Sequence, residues 1–396
     1  METARLRRGG AAAMAVVLVW ACAGAAQEAG WRGLTRRIAV RVASPGRPAR
    51  KHVPVVLSMQ AIAAAAADFN PRNCAVVAAG RELPHQIDQL DAAAGKELSF
   101  LIDTPAEGAA ACHLYYAPGG ARGKSFAART ATAEDWVPPN IGWESTLAGY
   151  RVYWGQFDFF GKRPERQFLL YPQIKGVAYH AEQPWGIDAL HVGTTSGLGG
   201  LTLYVGDRAC PAQNPAGKGT VAFAKRMLAA GPVRAAVEFT ARNVVPQRPD
   251  LSLRVVCLIY AEHQESEIRV SASAAAKEML LAPGLSKLPR EKAFVDKALG
   301  CLAAWGFQHK AIGEVGMAII VPPARLSRVA ELKAERRVQC DFADGALRYW
   351  ILGDWRRGRR DAAAATPAAW RRQVEALARL LHRDVRVSLG TPEAAR

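Results

Sequence analysis

Beyond residue 140 the chain supplies strand after strand with no helices alternating between them. Ala148 to Trp154, Ala189 to Val192, Leu201 to Val205, Gly219 to Met227, Val233 to Thr240, Leu251 to Tyr260, Glu265 to Ala272, Val315 to Val321 and Leu347 to Leu352 are short runs of strand-forming residues bounded by turn residues. Parallel pairing needs a long crossover, usually a helix, between partners. A succession without such crossovers therefore predicts a mainly β protein built as a large antiparallel β-sandwich. Half of the 396 residues are hydrophobic, enough to fill such a core.

The same grammar marks a smaller β module upstream, in Arg37 to Ala43, Val53 to Met59, Cys74 to Ala78, Glu97 to Ile102 and Cys112 to Tyr116. A looser stretch holding Gly119-Gly120, Thr130 to Thr132 and Pro138-Pro139 separates the two. The expected division is a leader over 1–26, an N-terminal β module over 27–120, a connecting segment over 121–140 and the main sandwich over 141–396. One helix is well marked over 366–382: Thr366 is the N-cap, Pro367 the first helical residue, and Trp370, Val374, Leu377 and Leu381 share a face. Phe294, Ala298, Leu299 and Leu302 have helical spacing too, which predicts a second helix over Arg290 to Ala304. Charges alternate through Glu238, Thr240 and Arg242 and through Arg254, Glu265, Glu267 and Arg269, so one sheet face is polar.

The N-terminus reads as an export signal. Arg5, Arg7 and Arg8 precede an apolar run from Ala11 to Ala21, and small residues follow at Ala23 to Ala26. That run is short for a membrane span and no later segment approaches the ~20 apolar residues a crossing needs, so a periplasmic or secreted protein without a transmembrane segment is expected. A lipid anchor on Cys22 is the lesser alternative, because Trp20 fits its cleavage site poorly. The other cysteines, at 74, 112, 210, 257, 301 and 340, show no paired C-x-x-C spacing, so no zinc site is expected. The formal charge of +17 favours a polyanionic partner. Export argues against nucleic acid and leaves acidic polysaccharides.

Chemistry-bearing side chains crowd between Gly142 and Leu203, where Tyr150, Arg151, Tyr153, Phe160, Lys162, Tyr179, His180, Trp185, Asp188 and His191 lie among glycines. Aromatic faces beside cations suit a flat, polar, acidic ligand: stacking supplies contact area and the charges orient it. The run Gly193 to Gly200 lacks the dinucleotide fingerprint, and neither Ser145 nor Ser196 sits in a nucleophile elbow.

These blocks also carry a resemblance. Tyr150-Arg151-Val152-Tyr153, Asp158-Phe159-Phe160-Gly161-Lys162, Tyr179-His180 and Trp185 to Gly193 are similar, in order and spacing, to the successive motifs of the bacterial domain-of-unknown-function 4861 family. Glu82 to Asp88 with Glu97 to Phe100 resembles its N-terminal module, and Tyr349-Trp350 to Trp355 with the Trp370 helix its end. The resemblance implies a secreted, galactose-mutarotase-like β-sandwich associated with the breakdown of uronic-acid polysaccharides, in some members by elimination.

Elimination beside a uronic carboxylate needs a group to neutralise that carboxylate, a base for the adjacent proton and an acid for the departing oxygen. Arg151 is the expected carboxylate clamp, Lys162 a second cation and His180 the base, since histidine titrates near neutrality. Tyr150 or Tyr179 would serve as acid or alternate base. Tyr153 and Trp185 are expected to contact the sugar, with Asp188 and His191 bonding its hydroxyls. Two alternatives remain open: a hydrolase or mutarotase-like enzyme using Asp188, Asp158 or Glu144 with His180, and a sugar-binding protein without catalysis. No metal ion or cofactor is expected.

Overall fold

The computed structural model describes residues 31–43, 49–134, 140–163, 181–275, 277–359, 361, 363, 365–383 and 385–395. The leader, with Cys22, lies outside them. The described strands pair antiparallel, in five sheets.

An eight-stranded sheet forms one layer of the main sandwich, running in spatial order Ala222–Ala229, Arg234–Arg242, Leu253–Tyr260, Ser266–Ala272, Ala346–Trp355, Gly313–Ile320, Cys301–His309, Lys292–Asp296. The facing layer is two five-stranded sheets side by side, linked by a bridge between Phe157 and Gly197. One of them begins with Gly186–Asp188, Gln156–Lys162, Gly149–Tyr153 and Asn140–Ser145 and ends on Thr130–Glu134. Between the layers, inward-facing residues of the central strands form one continuous core, including Trp143, Tyr150, Phe157, Phe159, Val237, Cys257, Ile268, Met317 and Tyr349. This is the antiparallel sandwich that the strand pattern predicts.

The outer face of the eight-stranded sheet is covered at both ends. Helix α1 of the sandwich, Pro367–Leu381, opens as expected: the Thr366 hydroxyl accepts from Ala369 N at 3.2 Å, and Trp370, Val374 and Ala378 are buried against Cys301, Ala303, Trp305 and Ile320. At the other end sits the N-terminal module, whose Val56, Leu90 and Leu101 pack on Ala236, Leu258 and Tyr260. Arg234, fully buried there, pairs with Asp88 and Glu97, while Gln86 bonds the backbone of Val233 and Arg234. The module itself folds a three-stranded sheet against a five-stranded one around Ile38, Val40, Val55, Phe100 and Leu114. Its five-stranded sheet is completed by the chain's last strand, Arg386–Ala394, which pairs with Arg36–Ala43.

Three expectations change. Residues 290–304 hold no helix: Lys292–Asp296 and Cys301–His309 form a hairpin. Asp296 Oδ1 accepts from Leu299 N at 3.0 Å, and Gly300 is left-handed at φ +61°, where a Cβ would meet Val321 O at 2.1 Å. Of the apolar residues that suggested a helix, Phe294 and Leu299 pack beneath Pro367–Leu381 and Leu302 enters the core between the layers. Ala189 to Val192 is not a strand: the strand ends at Asp188, and Ala189 N still donates to Phe159 O at 3.0 Å. A short helix, Met59–Ala65, capped by Ser58, follows the strand once read through Met59.

Candidate functional site

The Gly149–Tyr153 and Gln156–Lys162 strands meet in a two-residue hairpin. Trp154 and Gly155 both have positive φ, +53° and +80°, the geometry that matches the strands' right-handed twist. A Cβ at Gly155 would lie 2.1 Å from Ala212 O, so only glycine fits. This turn fixes the register: Arg151 stands opposite Asp158, Gly149 opposite Phe160, and Tyr153 opposite Gln156. Further out, Phe160 pairs with Asp188 and Lys162 with Gly186, while Glu144 lies across from Gly149. Strand alternation then sorts the side chains. Tyr150, Val152, Phe157 and Phe159 enter the core, and Arg151, Tyr153, Asp158, Phe160 and Lys162 share the opposite face with Glu144 and Asp188.

That face carries a buried charge network. Arg151 Nε donates to Asp158 Oδ1 at 3.2 Å; its terminal nitrogen donates to the other Asp158 oxygen and to Asp188 Oδ2, the latter at 3.0 Å. The guanidinium lies over the rings of Tyr153 and Phe160, 4.9 and 5.1 Å from their centroids. Next to it, the Lys162 ammonium donates to the Glu144 carboxylate and the Ser145 carbonyl. All five charged groups are buried. Desolvation pushes the Asp188 carboxyl up from 3.8 to about 6, although Arg151 and the Leu190 amide pull it down. Desolvation likewise lowers Lys162, opposed by Glu144. Among the described residues the set holds three carboxylates and two cations.

The network stands at the base of a connection. Arg163 N donates to Trp185 O at 2.8 Å, and Lys162 pairs with Gly186, so the chain returns beside the point where it left. Trp185 is buried edge-on against Phe160, with ring centroids 6.2 Å apart.

Of the residues singled out from sequence, Arg151, Tyr153, Lys162, Trp185 and Asp188 come together here. Tyr150 does not, which corrects its expected role. Alternation that places Arg151 outward turns Tyr150 inward, where it stacks on Trp143 at 5.9 Å. Its hydroxyl donates to Gln264 O at 2.6 Å and accepts from Gly353 N at 3.1 Å, and burial pushes the phenol far above its ordinary value. His191 is exposed beside His309, their rings 5.4 Å apart. Tyr179 and His180 lie outside the described residues. The pairings of Arg151 with Asp158 and of Lys162 with Glu144 escaped the sequence reading. The first was signalled by the Trp-Gly pair, since a two-residue hairpin at 154–155 puts 151 opposite 158.

The sequence profile of a domain of unknown function (DUF4861) matches residues 42–387. The chain belongs to this family. No curated protein matches it. Among solved structures, the DUF4861 chain is similar to a protein in glycosyl hydrolase family 38 from Enterococcus faecalis, with 7% identity and a TM-score of 0.49. It is also similar to an α-mannosidase from Enterococcus faecalis V583, with 9% identity and a TM-score of 0.44. Each comparison covers 90% of this chain but 47% and 46% of the other, so the chain spans about half the length of these structures.

Proposed function

We propose that this DUF4861 protein is an exported carbohydrate-active enzyme that acts on uronic-acid-containing oligosaccharides by β-elimination. The observation that carries the reading is Arg151 bridging Asp158 and Asp188 on an aromatic-lined face, at the base of the connection whose sequence holds Tyr179 and His180. In this reading His180 removes the proton beside the uronic carboxylate and Tyr179 serves the departing oxygen. Arg151 is not a bare clamp, because two aspartates hold its fork. Burial raises the Asp188 carboxyl to about 6, and a neutral Asp188 repels an acidic sugar less than an ionised one. Lys162 and Glu144 form the second buried ion pair of the same face. The basic overall charge draws acidic chains to the protein.

A second reading is hydrolysis, favoured by three buried carboxylates, one of them with its pKa raised toward neutrality. One experiment separates the two. The purified protein is incubated with glucuronate-, iduronate- and galacturonate-containing oligosaccharides and followed by ultraviolet absorbance and mass. A new absorbing product that disappears in His180→Ala supports elimination. A gain of water without absorbance moves the assignment to hydrolysis, and no product with any substrate overturns both.

A further inference from the structure

A cavity of about 280 Å³ opens on the outer face of the eight-stranded sheet, in the gap between the N-terminal module and the end of the C-terminal helix. It has room for roughly nine waters at ~30 Å³ each, the scale of a monosaccharide. Its walls are cationic. Arg50, Arg269, Arg348 and Arg383 face it, against Glu265 and Glu267.

The internal pairings are specific. Glu267 accepts from Arg269 Nε at 2.6 Å and from Arg348 at 2.8 and 2.9 Å, and Arg348 lies 4.7 Å over the Trp350 ring. His263 Nδ1 lies 2.6 Å from Glu265 Oε1 and its Nε2 lies 2.8 Å from the His52 carbonyl. Both partners are acceptors, so both ring nitrogens carry protons and the imidazole is a cation. Leaving Arg383 aside, four positive groups face two carboxylates.

Arg50 makes no hydrogen bond or close ion pair among the described residues; it is half-buried, and desolvation lowers its pKa although the Glu265 carboxylate favours its charge from a distance. The backbone brings it there by a bulge. Pairing of the Arg50–Ser58 strand slips between Arg50 and Val53, His52 is left-handed at φ +54°, and its amide is held by Asp103 at 2.9 Å. Bulges of this kind re-aim side chains, and strained non-glycine residues persist where surrounding contacts fix them.

We propose that this cavity binds the oxyanion of a small acidic ligand, a sugar carboxylate or sulfate ester, with Arg50 as its principal contact. An anion there supplies the partner the guanidinium lacks and offsets the excess positive charge. The site lies on the other layer of the sandwich from the Arg151 network, and its assignment does not depend on the proposed elimination.

The test is calorimetric titration of the full chain with sodium glucuronate, glucose 6-sulfate and glucose. At least one of the two anions should bind and glucose should not; the one that binds names the oxyanion. Arg50→Gln should weaken that binding about tenfold or more, the loss of a charge-assisted contact. Without ligand, Arg50→Gln should unfold at the wild-type temperature or above, because it removes a charge whose desolvation outweighs its attraction to Glu265. The proposal is overturned if neither anion binds, if glucose binds equally, or if Arg50→Gln binds as tightly as wild type. A drop in the unfolding temperature of Arg50→Gln overturns it as well.

Discussion

Asp188→Asn tests whether burial or the Arg151 charge governs the network. Asparagine keeps the shape of the side chain and an oxygen that can accept from Arg151, but removes the ionisable group. The carboxyl titrates at 3.8 when unfolded and at about 6 in the folded protein. Because the folded value is the higher one, the native state binds the extra proton between these values. The associated stability is therefore complete below pH 3.8 and is lost as pH rises through about 6. Two pKa units correspond to about 3 kcal/mol. Urea unfolding of wild type and Asp188→Asn at intervals from pH 4 to pH 8 should show their difference shifting in favour of the variant by about that amount, mostly below pH 6.5, and flat above 7. Comparing the two proteins cancels the background titration of the other carboxylates. A difference that does not change with pH, or that shifts against the variant as pH rises, would mean that Arg151 outweighs desolvation, and the reasoning fails.

Lys162→Met takes the ammonium away from buried Glu144 and should cost about 3–5 kcal/mol by urea unfolding, whereas Lys162→Met with Glu144→Leu should recover most of that loss. Thr366→Ala should lower stability by about 1 kcal/mol and Thr366→Ser by much less, read from the same transition. The six cysteines at 74, 112, 210, 257, 301 and 340 are free and buried, and burial pushes Cys74, Cys112 and Cys340 up to about 12. A thiol reagent should therefore leave these six untouched in the native protein and label all of them in denaturant.

Periodicity was a sound guide where a strand buries one face or both, and to the C-terminal helix, whose cap, proline and apolar face agree. It misled at Arg290 to Ala304, because four apolar residues at helical spacing also fit a hairpin whose turn is set by Asp296 and Gly300. Strands such as Met279–Ser286 and Glu335–Asp341 were missed, since proline, glycine and charges break their apolar pattern. At the candidate site, sequence found the residue types but not their pairing. Arg151 and Lys162 read as cations awaiting a substrate, and only the hairpin register reveals the carboxylates that hold them. Tyr150 was misplaced for the same reason, alternation assigning it to the face opposite its neighbour.

The pairing of Arg36–Ala43 with Arg386–Ala394 also sets the order of events in folding. Arg37 and Glu393, 356 residues apart in sequence, meet across it. Contacts of such separation form late and slowly, because a very long loop must close before they stabilise anything. During synthesis the edge of Arg36–Ala43 stays open until the last strand emerges, and the intervening sandwich can condense first. A chain exported before folding would meet no competing early structure at that edge, and truncation from Arg386 onward should leave a protein that folds its sandwich yet self-associates through an unpaired strand.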